Sequence, residues 1–222
     1  MSNSHTIDSQ DYDVAIIGAG IAGSMAGLLC SRAGLRTVLL ERHRFPRHKV
    51  CGCCVNGRAF QLLKQAGLES GLRQLQPATT SSLAVRYRGR KLNVTMPTSF
   101  AVSRRAMDQW LVTEAIASGC QFIDEVTAAV QPIESESDKR FEKTIDSRMV
   151  NLPEERTILL RFQHPHAANC TPQTDAERHA SRHAILPTKI ALDCDGHGHP
   201  STHLLPSFTA DPLTGCRIGL RA

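Results

Sequence analysis

The chain has 222 residues, 41% of them hydrophobic and 21% charged, which supports a domain with a real core and excludes global disorder. Its formal charge of +5 is mild, and with 5% aromatic residues it lacks the aromatic-interleaved basic stripe of a nucleic-acid binder, so no nucleic-acid partner is expected. The absence of a run of about 18 apolar residues predicts no transmembrane segment, and the polar start MSNSHTIDSQDYD has no signal-peptide pattern, so a cytoplasmic protein is expected.

Residues 1–11 read as a flexible N-terminal arm. Asp13–Gly18 (DVAIIG) is a short β-branched apolar run closed by glycine, the pattern of a buried parallel strand. Ile21–Ala33 is rich in small residues and predicts a helix that Gly34 ends. Thr37–Leu40 predicts a second buried strand, terminated by Glu41. This is one βαβ unit. Its turn, Gly18-Ala19-Gly20-Ile21-Ala22-Gly23, matches the dinucleotide fingerprint. The first glycine allows the tight turn, the second lets the backbone approach a pyrophosphate, and the third lets the helix pack close to the sheet. Glu41 follows by about twenty residues, where a carboxylate accepts both ribose hydroxyls and repels a 2′-phosphate. The site therefore predicts FAD or NAD rather than NADP.

A basic loop, His43–Lys49, contains Pro46 and leads into Cys51–Cys54. Arg58–Ala66 predicts a helix with Ala59, Leu62, Leu63 and Ala66 on one face. Ser82–Val94 alternates around Arg88-Gly89-Arg90 and predicts a hairpin. Met107–Ser118 predicts an amphipathic helix, with Trp110, Leu111, Ala115 and Ile116 inward and Gly119 as its cap. Val126–Ile133, Thr157–Phe162 and Ala184–Leu192 predict strands, with Glu134–Arg148 and His164–His183 as long polar connections.

The segment Glu41–Leu68, ERHRFPRHKVCGCCVNGRAFQLLKQAGL, resembles the geranylgeranyl-reductase-like branch of the p-hydroxybenzoate-hydroxylase-fold flavoproteins. Members of that group follow the ribose-binding acid with a basic, proline-containing loop, then Lys-Val-Cys-Gly, then a helix. Ser103–Gly119 is similar to the family's Arg-x-x-x-Asp-x-x-Leu helix, with Arg104, Asp108 and Leu111 in place. Leu192-Asp193-Cys194-Asp195-Gly196 is similar to its Asp-Gly segment near the flavin pyrophosphate.

The resemblance implies an α/β fold: a Rossmann-like FAD-binding domain over residues 12–205, with inserted antiparallel strands at about 80–100 and 122–190. It implies FAD, with Gly18, Gly20, Ala22 and Gly23 around the pyrophosphate and Glu41 and Arg42 at the adenosine. Cys51 and Gly52 would sit near the ribityl chain or isoalloxazine, with Cys54 close behind. Arg104 matches an arginine that contacts the cofactor, Ala128 takes the place of a residue meeting adenine through its backbone, and Asp195 and Gly196 complete the set. The implied activity is flavin-mediated reduction of a small or lipid-like substrate, with NAD(P)H as a candidate electron donor. Monooxygenases, hydroxylases and halogenases share the fold and form the alternative. Residues 206–222 read as the start of a substrate domain whose sheet is largely missing. That expectation of a truncated or split protein keeps a non-catalytic nucleotide-binding fragment in play. Peripheral membrane contact is compatible with the sequence, and the oligomeric state is not legible.

Three readings compete for the cysteines. Cys51, Cys53 and Cys54 could join Cys194, His197, His199 and His203 on a metal, but three cysteines within four residues are awkward for tetrahedral closure, and no metal is expected. Lys49 and the basic loop could activate a redox thiol. Small residues packing beside the flavin ring is the reading preferred. The run Arg42, Arg44, Arg47 and Lys49 neutralises phosphates or forms a solvated loop, and both remain open. His164, His166, His179 and His183 read as exposed.

Overall fold

The computed structural model describes residues 12–50, 54–132, 156–162, 183–196, 200–202 and 204–205. The expected N-terminal arm, Cys51, Gly52, Cys53, most of both polar connections, His164, His166, His179, His197, His199, His203 and residues 206–222 lie outside the described residues. In chain order the elements are β1 (Tyr12–Ile17), α1 (Ile21–Arg32), β2 (Thr37–Leu40), β3 (Cys54–Val55), α2 (Gly57–Gln65), α3 (Glu69–Gln74), β4 (Ala78–Tyr87) and β5 (Arg90–Ala101). Then follow α4 (Arg104–Ala117), β6 (Gln121–Ile123), β7 (Val126–Val130), β8 (Arg156–Phe162), β9 (His183–Asp193) and a 3-10 turn, Pro200–Thr202. The described residues form two compact units, with boundaries after Phe45 and, inside α4, after Leu111.

The first unit carries a six-stranded sheet in the order β6-β2-β1-β9-β8-β7. The strands β6, β2, β1 and β9 are parallel, while β8 runs antiparallel to both β9 and β7. Pairing of β1 with β2 runs from Val14↔Thr37 to Ile17↔Leu40, and with β9 from Tyr12↔Thr188 to Ile17↔Asp193. All of β2 and all but Asp13 of β1 are buried, which is why both read as continuous apolar runs. Toward the edge, β8 alternates, with Ile158, Leu160 and Phe162 buried and Leu159 exposed. These three join Tyr12, Ile17, Leu40 and Leu186 in one core cluster.

Helix α1 stands where predicted and stops at Gly34, whose φ of +83° needs no Cβ. It lies close to its neighbours: a Cβ at Gly27 would be 3.2 Å from Cys120 Sγ and 3.8 Å from Ile16 Cδ1. The stretch predicted as Val126–Ile133 is a strand over Val126–Val130, and Ile133 lies outside the described residues. Strands β6 and β3 and helix α3 were not expected, being too short to show a period. No helix among the described residues is long and apolar enough to cross a membrane.

The second unit contains a three-stranded antiparallel sheet, β3-β5-β4. Its hairpin outruns the predicted 82–94 and is joined by Arg88 and Gly89, at φ +46° and +76°. Two positive-φ residues match the right-handed twist of the strands. Asn56 caps α2 by accepting from the Ala59 amide at 2.9 Å. Leu62, expected inward, is exposed; Leu63 is buried, and Phe60 packs on Phe100 of β5 with ring centroids 5.0 Å apart. Gly71 on α3 abuts the ring of Trp110.

The buried stripe of α4 is Met107, Asp108, Leu111, Val112 and Ala115, and Ile116, expected inward, is exposed. The stripe is rotated because an acid occupies an inward position. Asp108 is 1% exposed. Its Oδ1 accepts from Arg104 Nε at 2.7 Å and its Oδ2 from Arg104 Nη2 at 3.0 Å, while Arg47 Nη1 lies 3.2 Å from Oδ2. A buried carboxylate bound by two guanidiniums is stable only as a complete set.

Two outcomes follow from this packing. A Cβ at Gly71 would sit 2.7 Å from the Trp110 ring, so Gly71→Ala should displace the ring, shift the emission of the chain's one tryptophan and cost about 1 kcal/mol in urea unfolding. Asp108→Asn removes the buried negative charge that both guanidiniums face and should lower unfolding free energy by about 3 kcal/mol.

Candidate functional site

The turn after β1 leaves no room for side chains. Gly18 has φ +102°, and a Cβ there would lie 2.5 Å from the Cys194 carbonyl oxygen and 2.7 Å from Asp195 Cα. A Cβ at Gly23 would lie 1.9 Å from the Gly18 carbonyl oxygen. Gly20 is the N-cap of α1, with no side chain capping the helix and no acid in its first turn. Gly20 and Gly23 are buried and Ala22 is exposed. The first-turn amides thus offer an anion the positive end of the helix dipole.

Glu41 closes the other side of the turn. It is 5% exposed; its Oε2 accepts from the Ala19 amide and its Oε1 from the His43 amide, each at 3.0 Å. Its own amide donates to the Ile123 carbonyl at 2.9 Å, and its carbonyl accepts from the Val126 amide at 3.0 Å. A carboxylate has about four acceptor positions, and these two backbone bonds occupy one on each oxygen. Ala128 is buried on β7 opposite Leu160, two residues beyond Val126. Arg42 is exposed, its Nε donating to His43 Nε2 at 3.1 Å.

Asp195 and Gly196 follow β9 and meet the same turn. The Cys194 amide donates to the Ile17 carbonyl at 2.8 Å, which brings the segment beside Gly18. Asp195 donates its amide to Asp193 Oδ1 at 3.1 Å, and its Oδ2 accepts from the Ser201 amide at 2.8 Å. Asp195 Oδ1 and Ser201 Oγ are buried with no hydrogen-bond partner among the described residues. Burial, and then the nearby Asp193, pushes the Asp195 carboxyl above its ordinary range. Gly196 has φ +94°.

Gly18, Gly20, Gly23, Glu41, Asp195 and Gly196 are therefore brought together within the first unit. Arg104 and Cys54 belong to the second unit. There Arg104 holds Asp108, and Cys54 is exposed on β3 opposite Ala101. Cys51 and Gly52 lie outside the described residues. The basic run does not act as one group. Arg42, Arg44 and Lys49 are exposed, whereas Arg47 turns inward to Asp108. The Cys194 thiol is pushed up by burial and by Asp193 and Asp195, and burial takes Cys120 to about 11. Both shifts disfavour the thiolate form.

Three contributors escaped the sequence reading. The Ala19 amide and Ser201 act through backbone donors, which leave no composition signal. Asp124 Oδ2 accepts from the Phe45 amide at 2.8 Å, anchoring the start of the basic loop from the end of the three-residue β6.

Residues 11–184 match the family described as FAD binding domain. A probable electron transfer flavoprotein-quinone oxidoreductase of Escherichia coli is 36% identical over 124 residues, 53% of this chain and 29% of its own length. Digeranylgeranylglycerophospholipid reductase 2 of Methanopyrus kandleri is 28% identical over 114 residues, 50% of this chain and 27% of its own. The chain thus spans under a third of the length of these curated relatives. The solved flavoprotein/dehydrogenase of Cytophaga hutchinsonii matches with a TM-score of 0.61 at 18% identity, covering 85% of this chain and 40% of that one, a likeness of fold. With the family matched from the first strand through the start of β9, the chain belongs to the FAD binding domain family and has the flavoprotein fold of FAD-dependent oxidoreductases and monooxygenases.

Proposed function

We propose that this chain is the FAD-holding part of an oxidoreductase that reduces a lipid-like substrate. The observation that carries the cofactor reading is the Glu41 Oε2 bond to the Ala19 amide at 3.0 Å, which sets a carboxylate directly against an uncapped, side-chain-free glycine turn. Pyrophosphate suits the first-turn amides and Gly18, Gly20, Ala22 and Gly23. The ribose hydroxyls of the adenosine suit Glu41, with Arg42 beside it and the Ala128 backbone at the adenine. Asp195 Oδ1 is a buried acceptor lacking a donor, which suits a hydroxyl of FAD, and Gly196 lets the chain pass close. These residues fit the cofactor. Arg104, Cys51, Gly52 and Cys54 are assigned to the flavin end by the family pattern alone.

Bound flavin supplies hydride or electron transfer, and the protein supplies binding, orientation and electrostatics. The reductase reading is supported by two relatives, one named for a digeranylgeranylglycerophospholipid and one for a quinone. NAD(P)H is the proposed electron donor.

The test is flavin retention after soaking the purified chain in FAD and desalting, followed by titration. Wild type should retain FAD. Glu41→Gln keeps the size but turns an NH2 toward one of the two backbone amides, so affinity should fall at least about tenfold, with urea unfolding measured beside it to separate the lost cofactor contact from loosening of the turn. Equal affinity in that variant would remove the adenosine assignment. Gly23→Ala should cost about 3 kcal/mol of stability and abolish retention, because its Cβ collides with the Gly18 carbonyl.

A further inference from the structure

The chain that leaves the sheet after β2 is held by the connection between β6 and β7. Glu41 donates its amide to the Ile123 carbonyl at 2.9 Å, and its own carbonyl accepts from the Val126 amide at 3.0 Å. Between these two contacts, Asp124 Oδ2 accepts from the Phe45 amide at 2.8 Å. The rings of Phe45 and Phe122 meet edge to face, with centroids 5.4 Å apart. All of these residues belong to the first unit. The connection itself is strained. Glu125 has φ +58°, a left-handed conformation that a residue with a Cβ enters at a cost and keeps only where its surroundings demand that backbone path.

The Glu41 carboxylate is fixed through both oxygens, Oε2 by the Ala19 amide and Oε1 by the His43 amide. The Ala19 amide belongs to the glycine turn. The His43 amide stands on a loop, and it keeps its place only while the chain beyond it is anchored. Asp124 supplies that anchor two residues further on. We propose that Asp124 is a positioning residue for the adenosine end of the cofactor site: by holding Phe45 it keeps the His43 amide on Glu41, and so sets the carboxylate toward the ribose hydroxyls. It acts through backbone amides and not by touching the nucleotide. A carboxylate already held in its binding orientation loses less side-chain freedom when it captures a diol. The inference rests on the adenosine role proposed for Glu41.

The experiment measures binding of ADP and of 2′,3′-dideoxy-ADP to the full chain, with hydrogen exchange over residues 42–46 recorded without nucleotide. Wild type should prefer ADP by at least about tenfold, since the two ligands differ only in the ribose hydroxyls. Asp124 is half-buried, so Asp124→Ala opens no enclosed cavity and should keep the wild-type far-UV spectrum. That variant should exchange faster over 42–46, and its preference for ADP should drop below about threefold with dideoxy-ADP affinity unchanged. Asp124→Asn keeps an oxygen for the Phe45 amide and should restore both properties. Asp124→Glu keeps the charge but displaces the acceptor; it should behave like Asp124→Ala and replaces it if that variant does not fold. An undiminished preference in Asp124→Ala, unchanged exchange over 42–46, a parallel loss of both ligands, or an Asp124→Asn variant no better than Asp124→Ala would overturn the proposal. A wild type that binds neither FAD nor ADP, or that shows no preference between the nucleotides, would remove the adenosine reading and this inference with it. A selective wild type beside an equally selective Asp124→Ala removes this inference alone.

Discussion

The hydrogen bond from the Ala19 amide to Glu41 joins the end of β2 to the turn after β1 through one buried carboxylate. Its second oxygen takes the His43 amide and so sets the direction in which the chain leaves the sheet. The backbone of the same residue is bound by Ile123 and Val126, which fastens β6 and β7 alongside. Burying a charged group is costly unless hydrogen bonds to the charged form replace its water. These backbone donors do so, and they also hold the carboxylate rigid beside the glycine turn. One residue thereby serves the architecture and presents an acceptor to a ligand.

The same turn depends on close backbone approach. Gly23 meets Gly18, and Gly18 meets Cys194 and Asp195, at distances that exclude a Cβ. Helix α1 can point its amides at an anion only because nothing projects from the loop. The parallel pairing of β9 with β1 delivers Asp195 to this place from far along the chain. Its unpartnered oxygen and raised carboxyl are local costs, of the kind that a ligand donor relieves.

In the second unit, burial and exposure are distributed unusually. An acid at Asp108 is enclosed by Arg47 and Arg104, while six apolar side chains on the hairpin are exposed among the described residues. The enclosed acid explains why α4 turns Ile116 outward, since hydrophobic periodicity ranks an aspartate among the solvent-facing positions. Arg47 left the basic run for the same reason: a buried carboxylate recruits the guanidinium within reach.

The sequence by itself determined the βαβ unit, the glycine turn, the acid at Glu41 and the long elements, because each depends on neighbours close in the chain. A strand's apolar run, a glycine at a forbidden position and a helix stop are local properties, and the flavoprotein family was legible from the motifs built on them. Only the tertiary structure decided that the strands at 126–130, 156–162 and 183–193 complete the sheet begun by β1 and β2. It alone paired Arg47 with Asp108 and rotated the inward faces of α2 and α4. Those outcomes depend on hydrogen bonds and ion pairs between residues far apart in the chain, where neither periodicity nor composition carries a signal.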